Sequence, residues 1–109
     1  MIDWTRINEL RDEIGADGFD EVVDMFLEEA DEVIARLTSD GLAKSLEADL
    51  HFLKGAALNL GFGELATLCQ DGEQRAAFGE ADFNITAVKH CYTTSKSALS
   101  AGLLALRVA

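Results

Sequence analysis

Apolar residues between positions 17 and 38 recur with the spacing of one face of a helix. They follow the i, i+3, i+4, i+7 rule almost throughout, and no segment of the chain alternates for long enough to predict a strand. We therefore predict a helix from Asp17 to Thr38, with Asp17 as its N-cap and Gly41 ending the following turn. Its apolar face consists of Phe19, Val22, Val23, Phe26, Leu27, Ala30, Val33, Ile34 and Leu37.

Four further apolar stripes predict four further helices. Their bounds are about Asp3 to Ile14, Leu42 to Leu60, Leu65 to Gly79 and Asp82 to Leu106. The second of these four has a +4, +3, +4, +3 seam, typical of a helix packed in a bundle: Leu46, Leu50, Leu53, Ala57 and Leu60. The pattern predicts an all-α fold, an antiparallel up-down four-helix bundle with one short additional N-terminal helix. We expect residues 1–109 to form a single domain.

The composition is that of a folded but strongly acidic chain. It has no proline, 49% apolar residues and a formal net charge of −11. Such a chain lacks the cationic surface that binds nucleic acids or anionic membranes, and its apolar content excludes disorder. No segment is long and apolar enough to span a membrane, and the N-terminus shows no signal-peptide pattern. We expect a cytoplasmic protein in which Cys69 and Cys91 are free thiols.

The negative charge belongs to the first half of the chain. Residues 1–50 contain fifteen acidic and four basic residues, whereas residues 51–109 contain five of each. We therefore expect the acidity on the first two helices, where it keeps the protein soluble and steers basic partner surfaces toward it.

One segment of the third helix has a chemically specific arrangement. At about 100° per residue, His51 lies outside the apolar seam, with Lys54 on one flank and Gly55 on the other. A glycine in mid-helix costs about 1 kcal/mol relative to alanine, so its presence indicates that a partner needs the space. A solvent-facing imidazole beside an ammonium group suits a phosphoryl acceptor, provided that another group accepts a hydrogen bond from the second ring nitrogen.

The residues from His51 to Gly61 read His-x-Leu-Lys-Gly-x-Ala-x-Asn-Leu-Gly. This segment resembles the signature of histidine phosphotransfer (Hpt) domains, the four-helix-bundle intermediates of phosphorelays in two-component systems. The resemblance continues into the next helix, through Leu65 to Cys69 and Glu73, and covers essentially the whole chain.

The resemblance implies a role for each of four residues. His51 would accept the phosphoryl group on Nε2, Lys54 would lie beside that group, and Gly55 would leave space for the partner. Glu73 would accept a hydrogen bond from Nδ1 of His51 and so fix the tautomer that leaves Nε2 free to attack.

Two apolar residues near His51 are candidates for partner binding. Leu58 shares its side of the helix, and Phe52 either contacts a partner or packs under the first helix. Three residues depart from the family pattern and are expected to bear on partner choice more than on activity: Leu50, Ala56 and Phe62.

The remaining candidate ligands do not predict a metal site. Of His51, His90, Cys69 and Cys91, only His90 and Cys91 are near each other in sequence, and adjacent helical residues point apart. No lysine and glycine pattern surrounds His90, so we interpret it as an ordinary helical residue.

The resemblance also implies the partners, which are response-regulator receiver domains and a hybrid histidine kinase. A receiver aspartate would pass its phosphoryl group to His51, which would pass it to the aspartate of another receiver. The receiver would supply Mg²⁺, so this chain would need no cofactor of its own. We expect a monomeric phosphocarrier rather than a stand-alone kinase.

Two other classes of protein remain as alternatives. One is a receiver-binding helical adaptor that does not accept phosphate, although His51, Lys54 and Gly55 are all intact. The other is the dimerising core of a histidine kinase, which would need an ATP-binding domain after Ala109. From the initial Met and the ends of the predicted bundle, we expect a free-standing chain.

Overall fold

A computed structural model of the protein describes residues 2–37, 43–79 and 84–108. Within these ranges the chain forms five helices and no strand, which confirms the all-α prediction. The helices are α1 (Trp4–Ile14), α2 (Ala16–Arg36), α3 (Ala43–Asn59), α4 (Gly63–Ala77) and α5 (Ile85–Val108). The end of the second predicted helix at Thr38, the turn at Gly41 and the predicted helix starts at Leu42 and Asp82 lie outside the described residues.

The apolar seam of α3 is the centre of the core. All five predicted seam residues are buried: Leu46, Leu50, Leu53, Ala57 and Leu60. Helix α3 packs most extensively against α4 and also contacts α2 and α1, while α4 packs against α5. Each buried leucine contributes about 1.5–3 kcal/mol relative to an exposed one, so this seam fixes which face of α3 points outward.

A side-chain contact joins α5 to α2. The hydroxyl of Tyr92 donates to Asp31, with 2.5 Å between the oxygens, and Lys96 pairs with the same carboxylate. Burial of the phenol, together with the nearby carboxylate, raises the pKa of Tyr92, so the hydroxyl stays a donor.

The prediction that Asp17 is the N-cap of the second helix is wrong. A single residue, Gly15, separates α1 from α2, and its carbonyl accepts the first helical hydrogen bond of α2 from the amide of Phe19. Gly15 is therefore the N-cap, with a φ of 92° that suits glycine. Asp17 lies in the first turn, where its charge still complements the helix dipole.

The three departures from the family pattern lie in the core. Leu50 is 0% exposed, Phe62 is 1% exposed and Ala56 is 5% exposed. The ring of Phe62 contacts Tyr92 edge to face, with the centroids 6.5 Å apart. These side chains are therefore not part of the surface that a partner contacts, and their expected effect on partner choice would have to pass through the packing around them.

Helix α1 is fixed to the turn between α3 and α4. The carboxylate of Asp3 caps α1 by accepting hydrogen bonds from the amides of Thr5 and Arg6. The backbone amide of Asp3 donates to the carbonyl of Gly61 over 2.7 Å, and Ile2 forms a backbone bridge with Phe62. The start of the chain is thereby held beside the C-terminal end of α3.

Trp4 also contacts α5, at Gly102. A Cβ at position 102 would lie 2.2 Å from two carbons of the Trp4 ring. We expect Gly102→Ala to displace the indole and shift the tryptophan emission to the red, because Trp4 is the single tryptophan. The free energy of unfolding should change only slightly, because the helix propensity that alanine gains, about 1 kcal/mol, offsets the cost of moving the indole.

Fluorescence spectra and urea unfolding of the Gly102→Ala protein check this prediction. Gly55→Ala is the matched control, because it has the same gain in propensity and no atom within 4 Å of the added Cβ. An emission maximum at the wild-type wavelength would show that the position of the Trp4 ring does not depend on Gly102.

The surface carries the acidity where the sequence predicts it. Every acidic side chain of α1 and α2 is exposed.

Among the described helices, none combines the length and apolar character needed to cross a bilayer. Cys69 and Cys91 are free, and burial raises the pKa of Cys69 to about 12, so its thiol stays protonated at neutral pH.

Candidate functional site

His51 stands on the outer face of α3. Its side chain is 69% exposed, whereas its neighbour Leu50 is fully buried. The difference follows from the helical period, because burial of the α3 seam leaves the adjacent residue about 100° away, at the edge of the helix. The imidazole is thus accessible to a second protein.

Glu73 of α4 orients the imidazole. Its Oε1 lies 2.7 Å from Nδ1 of His51, and its side chain is 19% exposed. An ionised carboxylate can only accept hydrogen bonds, so the proton of a neutral imidazole must be on Nδ1. Nε2 then carries the free lone pair. This is the contact that the family resemblance implies for Glu73.

Lys54 is paired with the other oxygen of the same carboxylate. Its Nζ lies 2.9 Å from Oε2 of Glu73. The ammonium of Lys54, aided by the hydrogen bond from His51, holds the pKa of Glu73 below its ordinary value against the opposing effect of burial. The family resemblance implies that Lys54 lies beside the phosphoryl group. In the unphosphorylated protein, its ammonium pairs with Glu73.

An open apolar surface adjoins His51. Gly55 has no atom within 4 Å of the position that a Cβ would occupy. Phe52 is 36% exposed and Leu58 is 57% exposed, so both are available for contact. Part of Phe52 is therefore accessible, as its interpretation as a partner contact requires. No contact among the described residues requires the absence of a side chain at position 55.

A polar contact that the sequence did not predict lies beside this surface. The amide of Asn59 donates from Nδ2 to the carbonyl of Gly55 over 3.0 Å. Its Oδ1 accepts a hydrogen bond from Nη2 of Arg6, also at 3.0 Å. The motif contains Asn59 but gives it no role, and Arg6 is 53 residues away with no signal that links the two.

No metal-binding cluster of His, Cys, Asp and Glu occurs among the described residues. His90 and Cys91 line a different feature, a cavity of about 270 Å³ between α4 and α5. The lining is mostly apolar, and its polar groups do not include His51 or Glu73. His90 thus remains separate from the His51 site.

Comparison with known proteins agrees with this site. The family model described as the Hpt domain matches residues 21–106, most of the chain. Neither curated proteins nor solved structures gave a match. Domains of this family work with receiver domains and histidine kinases in phosphorelays. The match spans the helix that carries His51 and the helix that supplies Glu73, and the chain belongs to the Hpt domain family.

Proposed function

We propose that this protein is a phosphorelay intermediate in which His51 accepts a phosphoryl group from a receiver aspartate and passes it to another. The observation that carries the proposal is the hydrogen bond between Nδ1 of His51 and Glu73, beside an exposed ring. On the neutral ring, this contact leaves Nε2 with its free lone pair and facing the side from which a partner can approach.

The transfer needs no proton to leave the imidazole. The lone pair of Nε2 forms the N–P bond as the P–O bond to the aspartate breaks, and that bonding pair departs on the aspartate carboxylate. The phosphorylated ring keeps its Nδ1 proton and gains positive charge, which the Glu73 carboxylate stabilises. Transfer to a second receiver reverses these steps.

Lys54 contributes electrostatically to the same reaction. Its ammonium is bound to Glu73 before transfer and is 25% exposed. In the proposed phosphorylated state it also lies near the negative oxygens on Nε2, whose charge it partly offsets.

The partner is a receiver domain that covers Gly55, Phe52 and Leu58. The exposed acids of α1 and α2 favour a receiver with basic residues around its docking surface. A hybrid histidine kinase supplies the first receiver, and the receivers supply Mg²⁺. The protein itself acts as a monomeric, cytoplasmic phosphocarrier without its own cofactor, not as a stand-alone kinase.

The proposal includes a single domain over residues 1–109 with antiparallel, up-down helices. Arg36 near the end of α2 pairs with Asp49 in the first half of α3, and Glu73 in the second half of α4 reaches His51. Both contacts support sequential helices that run in opposite directions. The hydrogen bond from Asp3 to Gly61 supports including α1 in the domain.

Phosphate uptake tests the function directly. We expect the wild-type protein to take an acid-labile, alkali-stable phosphate from a phosphorylated receiver domain, and His51→Gln to take none. His90→Gln is the matched control and should behave as wild type, because His90 lies at a separate cavity. No uptake by the wild-type protein, or equal uptake by His51→Gln, would overturn the proposal. Receiver binding without uptake would instead support the adaptor alternative.

Gly55 offers a test that separates stability from docking. We expect Gly55→Ala to raise the free energy of unfolding by about 1 kcal/mol, because alanine favours the helix and meets nothing in the chain. Transfer from the receiver should slow by about tenfold, because a methyl group displaces the partner from its reactive position.

Urea unfolding and receiver-to-His51 transfer rates measure the two effects of Gly55→Ala. Phosphorylation by phosphoramidate, a donor too small to need the docking surface, is the control and should keep its rate. A Gly55→Ala protein that is more stable than wild type and still accepts phosphate from the receiver at the wild-type rate would refute the role of the glycine in docking.

A further inference from the structure

Helix α1 lies outside residues 21–106, the part of the chain that the Hpt family matches, yet it reaches the phosphoacceptor helix. Arg6 of α1 donates to Asn59, and Asn59 donates to the carbonyl of Gly55, one helical turn after His51. The side chain of Arg6 is 27% exposed. This relay of two hydrogen bonds ends at the glycine that the partner is proposed to cover.

We propose that Arg6 and Asn59 are positioning residues for receiver docking, so that α1 supports the docking surface through Asn59. The inference rests on the proposed function, because it concerns how the receiver meets α3. Neither residue contacts His51 or the reacting atoms.

The relay fixes the orientation of the Asn59 amide. An amide has an oxygen that accepts and a nitrogen that donates, whereas a guanidinium can only donate. Arg6 therefore requires Oδ1 of Asn59 on its own side, which turns Nδ2 toward the carbonyl of Gly55. Without Arg6 the amide is free to rotate, and its oxygen would repel that carbonyl.

The hydrogen bond to Gly55 matters when the partner arrives. A helical residue without a side chain leaves its backbone open to water, and a partner that covers Gly55 removes this water. Within α3 the backbone amide of Asn59 already donates to the Gly55 carbonyl, so the partner removes water only from the second lone pair of that oxygen, and losing this water without a replacement donor weakens binding. Nδ2 of Asn59 supplies this second donor in advance, so docking costs the carbonyl no hydrogen bond.

Arg6 is itself held in place. Its Nη1 lies 3.4 Å from Glu9 and 3.6 Å from Glu13, both on α1. Helix α1 is fixed in turn by the hydrogen bond from Asp3 to Gly61. The relay therefore joins the docking surface to a helix with its own attachment to the α3–α4 turn.

Two variants test the two hydrogen bonds. Asn59→Asp retains an oxygen for Arg6 but loses the donor to Gly55, and Arg6→Met loses the guanidinium but keeps an apolar stem. We expect each to raise the KM for transfer from a phosphorylated receiver by about tenfold, the effect of one lost hydrogen bond at a carbonyl that docking dehydrates, with kcat unchanged. The receiver is the one that phosphorylates wild-type His51 in the uptake experiment.

Three comparisons distinguish positioning from a general loss of structure. Arg11→Met, on the same helix, should keep the wild-type KM, and Arg6→Lys should recover part of the lost affinity. Phosphorylation of His51 by phosphoramidate should be unchanged in all variants. A wild-type KM in Asn59→Asp and Arg6→Met, or an equal slowing with phosphoramidate, would overturn the inference. The proposed function fails separately if wild-type His51 takes no phosphate from any receiver.

Discussion

Replacing Glu73 with alanine should lower the rate of phosphoryl transfer to His51 by about 10²-fold. A charge-assisted hydrogen bond contributes about 1.5–3 kcal/mol, and each 1.36 kcal/mol of barrier is tenfold in rate. Without the carboxylate, the proton of the neutral imidazole can reside on either nitrogen, and the positive charge of the phosphorylated ring has no counter-ion. Lys54 also loses the oxygen that it binds.

Transfer rates from a phosphorylated receiver and ¹⁵N spectra of the His51 ring measure this effect. Glu73→Gln should be intermediate, because its amide oxygen still accepts from Nδ1 but carries no charge. Asp71→Ala removes an exposed acid from the same helix that pairs with Arg75 and serves as the control. A Glu73→Ala protein with the wild-type rate and tautomer would show that the carboxylate does not set the state of His51.

The same carboxylate predicts how stability depends on pH. Contacts with Lys54 and His51 lower the pKa of Glu73 from its ordinary value of 4.5, so folding favours its ionised form. The stabilisation is fully present above 4.5 and is lost as the pH falls through the lower pKa of the folded state. The stability gap between wild type and Glu73→Ala should therefore narrow on acidification below 4.5.

Gly61→Ala should have the largest effect on folding, a loss of about 3 kcal/mol in the free energy of unfolding. Gly61 has a φ of +72°, where a residue with a Cβ is strained. The added carbon would lie 2.6 Å from the carbonyl oxygen of Asp3, a backbone atom that cannot move without breaking the hydrogen bond between these residues. Helix α1 would lose its attachment to the α3–α4 turn.

Gly79→Ala separates the cost of backbone strain from the cost of the close contact with Asp3. Gly79 has a φ of +81° but no atom within 4 Å of an added Cβ, so its substitution costs only the backbone strain, about 1–2 kcal/mol. Urea unfolding followed by circular dichroism measures both variants. Equal losses at Gly61 and Gly79 would show that the contact with Asp3 does not contribute.

Much of the fold follows from local pattern. The period of α2 and the seam of α3 predicted their buried faces, because a helix repeats every 3.6 residues and only one face can leave water. The same phase placed His51 outside the core and Gly55 on the open surface. Helix ends were less predictable, and the N-cap of α2 is Gly15 because a one-residue link leaves no other position for it.

The sequence by itself determined the helices, the face on which His51 stands and the distribution of charge, since each depends on residues within a few turns. Only the tertiary structure decided that Lys54 binds Glu73, that Arg6 reaches Asn59 and that Phe62 is buried against Tyr92. These contacts join residues on different helices, and their geometry depends on how whole helices pack. A pattern along one helix carries no information about which atom of a neighbouring helix lies within 3 Å of it.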